Sequence, residues 1–336
     1  MTPAWHTFLD TQGAQIDAAG AVSFPPSATA GPLLADLSHF GLIAFSGEET
    51  LTFLQGQITN DLRDQGLDQA VFAGYCNAKG RLYANFLVLR READTLVLLP
   101  ASLREILQKR LSMFIMRSKT RARDADAEWV RLGLAGAGAR AVLTRLWGAA
   151  PAAGLAVLQH ADGLAIGLAD DRFDLLVRPD AAPALWQALR AEATPIGHAA
   201  WDAALVSAGI PTITPATVEA FTPQMVNMEL LHGVSFTKGC YPGQEVVART
   251  QWLGKVKRRM FLAHSAAEVA PGTHLFSAAV LGQDCGQIVN VAAAASGGYD
   301  YLAVVRLDAW KAADVRLAAR DGVALTALPQ PYSLPE

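Results

Sequence analysis

Lys238-Gly239-Cys240-Tyr241-Pro242-Gly243-Gln244-Glu245, running on as Val246-Val247-Ala248-Arg249-Thr250, gathers a thiol, a cation, an acid and two glycines. Glycine tolerates backbone angles that side chains forbid. Gly239 and Gly243 are therefore expected where the chain turns tightly or lies close to a ligand. Pro242 fixes its own φ and suits a first helical turn. The stretch reads as a loop over 238–241 and a short helix over 242–250. Cys240 would then lie just ahead of a helix N-terminus, with Lys238 two residues away. Both features favour thiolate, which makes Cys240 a candidate reactive cysteine with Lys238 beside it. Glu245 falls in the first turn, where an acid is favourable. The plainer alternative is a glycine-bounded turn around a cysteine used as apolar filler.

The rest of the chain sets limits on that chemistry. At 336 residues it can form two or three domains with real cores, and 51% hydrophobic against 18% charged residues is globular composition. A net charge of -3 gives no general nucleic-acid signal, so any RNA contact needs a local patch. Cys76, Cys240 and Cys285 stand far apart, with no C-x-x-C and no histidine ligand pattern. Neither a disulfide framework nor a metal site is expected. Residues 1–20 lack a basic start and apolar core, and charges interrupt every apolar stretch before spanning length. The expectation is a cytoplasmic protein with no membrane partner.

In chain order, residues 21–32 with Pro25, Pro26 and Pro32 read as a loose lead. Leu33 to Ser46 reads as one strand, then a turn and a helix with Leu51, Phe53, Leu54 and Ile58 buried. Val71 to Cys76 and Arg81 to Arg90 are strands around the hairpin chemistry of Asn77-Ala78-Lys79-Gly80. Thr95 to Leu99 is a strand. Ser102 to Met113 is a helix, with Ser102 as N-cap and Glu105 as its capping-box partner. If Arg117 to Arg123 is extended, Arg117, Lys119, Arg121 and Arg123 share one face. That face is either solvated or a cationic ledge for a polyanion. Gly136-Ala137-Gly138-Ala139-Arg140-Ala141 is a weak dinucleotide pattern, because no strand ending in an acid follows at the needed distance. Trp201 to Ala208 is a helix. Beyond Gly254, Lys255 to His264 opens a run of short strands with glycine turns, the pattern of a small antiparallel barrel.

K-G-C-Y-x-G-Q-E closely resembles the signature of the YgfZ family, folate-binding proteins related to the glycine-cleavage T protein, an aminomethyltransferase. The resemblance extends through Leu54-Gln55-Gly56-Gln57 with Thr59 and Asp61, and Cys76-Asn77-Ala78-Lys79-Gly80. It continues through Pro223-Gln224 with Asn227, Gly233-Val234-Ser235-Phe236, Val247-Ala248-Arg249 and Pro331-Tyr332-Ser333-Leu334. It implies an α+β fold of three domains around a folate channel. These are a discontinuous core of 1–125 and 196–253, a smaller α+β domain of 126–195, and a C-terminal antiparallel β-barrel of 254–336. It further implies tetrahydrofolate or a derivative as cofactor. Iron–sulfur enzymes, tRNA-modifying ones among them, are the implied partners, with tRNA as a further candidate.

On this resemblance Cys240 is the residue on which activity turns. Lys238, Gly239, Tyr241, Gly243, Gln244, Glu245 and Arg249 shape its surroundings. Trp201 and Phe40 match two aromatic positions associated with folate, and a flat pterin gains about 1 kcal/mol from an aromatic partner. Two positions depart from the pattern. The strand Leu82-Tyr83-Ala84-Asn85 lacks the acid of the aminomethyltransferases, and Ser207 stands where relatives commonly have glutamate. The expected function is a folate-binding accessory protein for iron–sulfur cluster assembly or repair and tRNA modification. A tetrahydrofolate-dependent one-carbon enzyme (aminomethyltransferase or demethylase) is the alternative. A third reading is an RNA-binding module using the 117–123 cations with Lys255, Lys257, Arg258 and Arg259. Cys76 and Cys240 could also meet as a redox pair, though no spacing supports it.

Overall fold

The structure is a computed structural model and describes residues 1–18, 20–25, 31–252, 254, 256–280 and 283–335. Pro26 of the N-terminal lead and Lys255 of the basic set lie outside the described residues. Two compact units emerge. One comprises Met1–Phe53, Leu62–Val71 and Leu87–Trp201; the other comprises Leu54–Asp61, Phe72–Phe86 and Asp202–Glu336.

In the first unit a six-stranded sheet runs in the order Val157–His160, Gly163–Gly167, Phe173–Val177, Val130–Ala135, Leu33–Asp36, Thr194–Ile196. All neighbours are antiparallel except the last pair. Strand side chains alternate between faces. Val130, Leu132 and Leu134, with Phe173 and Leu175, turn to one face. There the helices Pro3–Thr11, Ala139–Trp147 and Ala182–Arg190 bring Trp5, Leu143 and Trp186 against them. A fully buried side chain of this kind contributes about 2 kcal/mol. On the other face Leu164, Ile166 and Leu176 meet Leu42, Ala44, Leu96 and Leu98 of a second antiparallel sheet. The unit is thus layered, helices over sheet over sheet.

Several expectations need correction here. The run Leu33 to Ser46 is two strands in different sheets, Leu33–Asp36 and Phe40–Ser46. A turn closed by Phe40 N–H donating to Leu37 O at 2.9 Å lets the chain change layers. The apolar run hides this break because both strands are buried. The helix expected from Ser102 spans Ala101–Ile115, with Pro100 at the cap and no side-chain cap. Ser102 is already inside it, so the capping box does not form. The basic segment is extended only over Arg121–Asp124. Met116 adopts φ 42° and Ser118 N–H donates to Ile115 O, which folds Arg117 into a turn. Lys119 pairs with Glu48, and Arg123 with Glu128 and Asp94. The cations therefore do not form one continuous ledge.

The second unit takes residues 72–76 and 82–86 of the strands Ala70–Cys76 and Leu82–Arg90, which close around the 77–80 turn. Gly80 N–H donates to Asn77 O, and Asn77 N–H to Arg81 O. The C-terminal part is a curled antiparallel sheet. Its order is Arg316–Leu317, His274–Phe276, Gly286–Ala293, Tyr299–Arg306, Arg258–Ser265, Thr326–Ala327. An isolated bridge pairs Arg316 of one edge strand with Ala324, two residues ahead of the other. Phe261, Tyr301, Ile288 and Leu317 fill its interior. Among the described residues no helix is long and apolar enough to cross a membrane.

Candidate functional site

The helix after the motif is Gln244–Trp252, two residues later than expected at its start. Gly243 explains the delay. It has φ +79°, and a Cβ there would stand 2.4 Å from Asn77 O and 2.6 Å from Gly80 Cα. Only glycine lets the chain cross the 77–80 turn so closely. Gly239 differs from expectation. It lacks a positive φ, and a Cβ there would meet nothing within 4 Å. Pro242 therefore belongs to the turn, and Cys240 lies four positions ahead of Gln244 rather than at the helix cap.

Lys238 is buried, yet its ammonium is well matched. Nζ donates to the carbonyls of Gln55 at 2.6 Å, Ile58 at 2.7 Å and Asn60 at 2.7 Å. An ammonium has three N–H donors, so all three are accounted for by backbone. Lys238 ties segment 55–60 to the cysteine loop, and its charge also stands over the Tyr241 ring at 5.4 Å. Nearby residues reinforce the tie. Thr59 Oγ1 donates to Gly233 O and accepts from Gly74 N–H. Gln224 Nε2 donates to Val247 O at 2.7 Å, and Asn227 Nδ2 to Met260 O. Gln244 Nε2 reaches Lys238 O at 3.4 Å. From this framework Cys240 emerges exposed, with Glu245 and Arg249 exposed on the following helix.

The other two thiols are unlike it. Cys76 and Cys285 are buried and all three cysteines are free. Burial pushes the Cys76 thiol up to about 12 and the Cys285 thiol to about 11. Burial, with the Cys76 thiol nearby, also raises the Tyr241 phenol. At neutral pH Cys76 is a protonated core residue. Asn85, in the strand that lacks an acid, gives Nδ2–H to Pro211 O and accepts from Ile213 N–H. Its amide holds the 211–213 backbone.

Trp201 and Phe40 both belong to the first unit, on the inner face of the strand Val130–Ala135. Trp201, 3% exposed, packs its ring against Gly133, where a Cβ would stand 2.5 Å from the ring. Phe40 is half-buried, with the Arg131 guanidinium 4.5 Å from its ring centroid. Such a contact is worth about 0.5–2 kcal/mol depending on desolvation. Arg131 Nε donates to both oxygens of Asp174, at 2.9 and 3.0 Å, and Nη2 also bonds Oδ2. The His39 ring lies tilted against Phe40, centroids 4.3 Å apart, and against His198 at 5.2 Å. Arg131 and Asp174 were not singled out from sequence. Their signal is a charge inside an otherwise apolar strand, Val-Arg-Leu-Gly-Leu and Phe-Asp-Leu-Leu-Val.

The family model described as GCVT N-terminal domain matches residues 29–236. The chain is 35% identical to "tRNA-modifying protein YgfZ" of Klebsiella pneumoniae (strain 342), over 74% of this chain and 76% of that one. It is 32% identical to the protein of the same name from Sodalis glossinidius (strain morsitans), over 90% and 94%. The chain belongs to the YgfZ family. Among solved structures, glycine cleavage system aminomethyltransferase T from Bartonella henselae superposes with a TM-score of 0.77. That match covers 98% of this chain and 97% of the other at 18% identity, which establishes a shared T-protein fold. Within that YgfZ frame, Ser207 is exposed at the end of the helix His198–Ser207.

Proposed function

We propose that this protein binds a reduced folate, tetrahydrofolate or a derivative, and supports tRNA modification by sustaining iron–sulfur clusters in the enzymes concerned. Cys240 is its reactive group, and Trp201 and Phe40 belong to its folate-binding part. Tyr241, Gly243, Gln244, Glu245 and Arg249 shape the loop and helix that carry the thiol, with Gly239 inside that loop. Lys238 acts by holding the loop in place. The reading includes a cytoplasmic location and the division into 1–125 with 196–253, 126–195 and 254–336. The observation that carries it is an exposed cysteine on a loop whose supporting polar groups are engaged by backbone, in a chain of YgfZ ancestry. A loop so held need not be rebuilt each time the thiol reacts.

Classical one-carbon transfer is less well supported. The strand through Leu82-Tyr83-Ala84-Asn85 offers no carboxylate, and both ends of the Asn85 amide are engaged by backbone. The test is complementation in cells lacking the protein. Cys240→Ala should fail to restore cluster-dependent tRNA thiolation while accumulating as folded protein. Full rescue by that variant would remove Cys240 from the mechanism.

A further inference from the structure

The helix Ala101–Ile115 buries Leu103, Leu107 and Leu111. They recur at the helical period, and Phe114 continues the same stripe one turn on. Phe114 is nevertheless 48% exposed. On the neighbouring arc Ile106 and Met113 stand two turns apart, and both are exposed, with Lys109 between them. Met116 follows directly after the helix and is 85% exposed. Four of the seven large apolar side chains that stand exposed among the described residues thus fall within eleven positions, which is a patch and not the usual single scatter.

Met116 carries a second signal. Its backbone holds φ 42° and ψ -99°, outside the regions open to residues with side chains. Glycine could make that turn without the strain. Here a methionine makes it, and no burial of its side chain offsets the cost. Strain of that kind gathers where a segment meets a ligand. Charge gives the chemistry of what is missing. Over 101–117 the basic residues are Arg104, Lys109, Arg110 and Arg117, against Glu105 alone. Arg104 is taken by Asp124 and Asp126. The other three put positive charge beside the apolar side chains.

We propose that this end of the helix is a docking surface for a short acidic, amphipathic helical segment of an enzyme that the protein serves. The proposal rests on the reading above only in taking the protein to act on other enzymes. Apolar side chains two turns apart match the spacing along a partner helix, and methionine adapts its shape to what it meets. Aspartate or glutamate flanking that segment would meet Lys109, Arg110 and Arg117. Three other occupants fit less well. RNA phosphates would engage the cations and leave four apolar side chains in water. A bilayer takes a broad apolar face, and the leucine stripe of this helix is already turned to the fold. In a two-fold pair of these helices, Lys109 and Arg110, midway between Ile106 and Met113, would face their own copies.

The test places a photo-crosslinking amino acid at Ser112, which is exposed and outside the proposed contact, in the full-length chain expressed in cells lacking the native copy. Mass spectrometry identifies what is linked. The expected adduct is an acidic amphipathic segment of another protein. A synthetic peptide of that sequence should then bind the purified chain in fluorescence anisotropy. Met113→Ser with Phe114→Ser, and separately Lys109→Glu with Arg117→Glu, should each weaken that binding by about tenfold or more. Met116→Gly should weaken it too while leaving thermal stability unchanged or higher, since it removes both the apolar side chain and the strain. An adduct with RNA, lipid, a second copy of this chain or a segment without acids overturns the proposal. So does the absence of any adduct, or a peptide affinity indifferent to these substitutions. The adduct is read without reference to thiolation. Full rescue by Cys240→Ala would therefore remove the thiol reading alone, and a missing adduct the docking surface alone.

Discussion

The cysteine loop and the arginine face bury positive charge in opposite ways. Lys238 spends three donors on three carbonyls and ties two segments of one unit together. Arg131 and Arg172 sit on the inner face of a sheet in the other unit and leave three donor nitrogens unfilled. A completed network specifies one geometry; an incomplete one keeps the cost of unpaired polar groups until something else satisfies them. The contrast separates scaffolding from readiness. On the loop the scaffold is complete and the exposed atom is sulfur. On the face the scaffold itself is unfinished.

The largest expected effect comes from removing the acid that pairs with Arg131. Asp174→Asn leaves the buried Arg131 guanidinium without its counter-charge and should destabilise the protein by about 3–5 kcal/mol in urea unfolding. Adding Arg131→Met should recover much of that loss, since both members of the pair are then gone. Failure of the second change to compensate would mean that Asp174 supports something other than Arg131. Lys238→Met should cost about 2–4 kcal/mol, because three carbonyls lose a charged donor at once. Hydrogen exchange should rise over 55–60 and 238–241 together. Exchange that rises on one side only would show that Thr59 and Gly243 hold the loop without the lysine, and the contrast with the arginine face would weaken.

These two regions also differ in how legible they are in the sequence. The loop announces itself by rare residue types in a short span, and the hairpin beneath it by Asn77 and Gly80. What sequence misplaces there is the direction of Lys238. Its neighbour in the chain is Cys240, but its partners lie about 180 residues away, at Gln55, Ile58 and Asn60. Local spacing carries no information about that. The arginine face is harder still. Phe40 and Trp201 are visible only as aromatic positions, and Leu33 to Ser46 hides a change of sheet inside one apolar run. Arg131 and Asp174 become legible only when the register of two strands pairs Asp174 with Gly133. The curled C-terminal sheet is the easier case, because alternating strands between glycine turns identify it without any long-range partner.

The smallest effect sharpens the contrast from the loop side. Cys240 is exposed, so Cys240→Ser should change stability by less than about 0.5 kcal/mol. Alkylation of the native wild type near neutral pH should modify Cys240 first, with Cys76 and Cys285 following only on unfolding. The pH dependence separates them further. A thiol whose folded pKa is raised gives up its proton more readily in the unfolded chain. Native stability is therefore fully present below the ordinary thiol value of 9.0 and declines as pH rises towards about 12 for Cys76 and about 11 for Cys285. Cys76→Ala should reduce that alkaline decline. If Cys240→Ser instead destabilises the protein by more than about 0.5 kcal/mol, the exposed sulfur is coupled to the fold, and the loop is no longer a finished scaffold presenting an independent thiol.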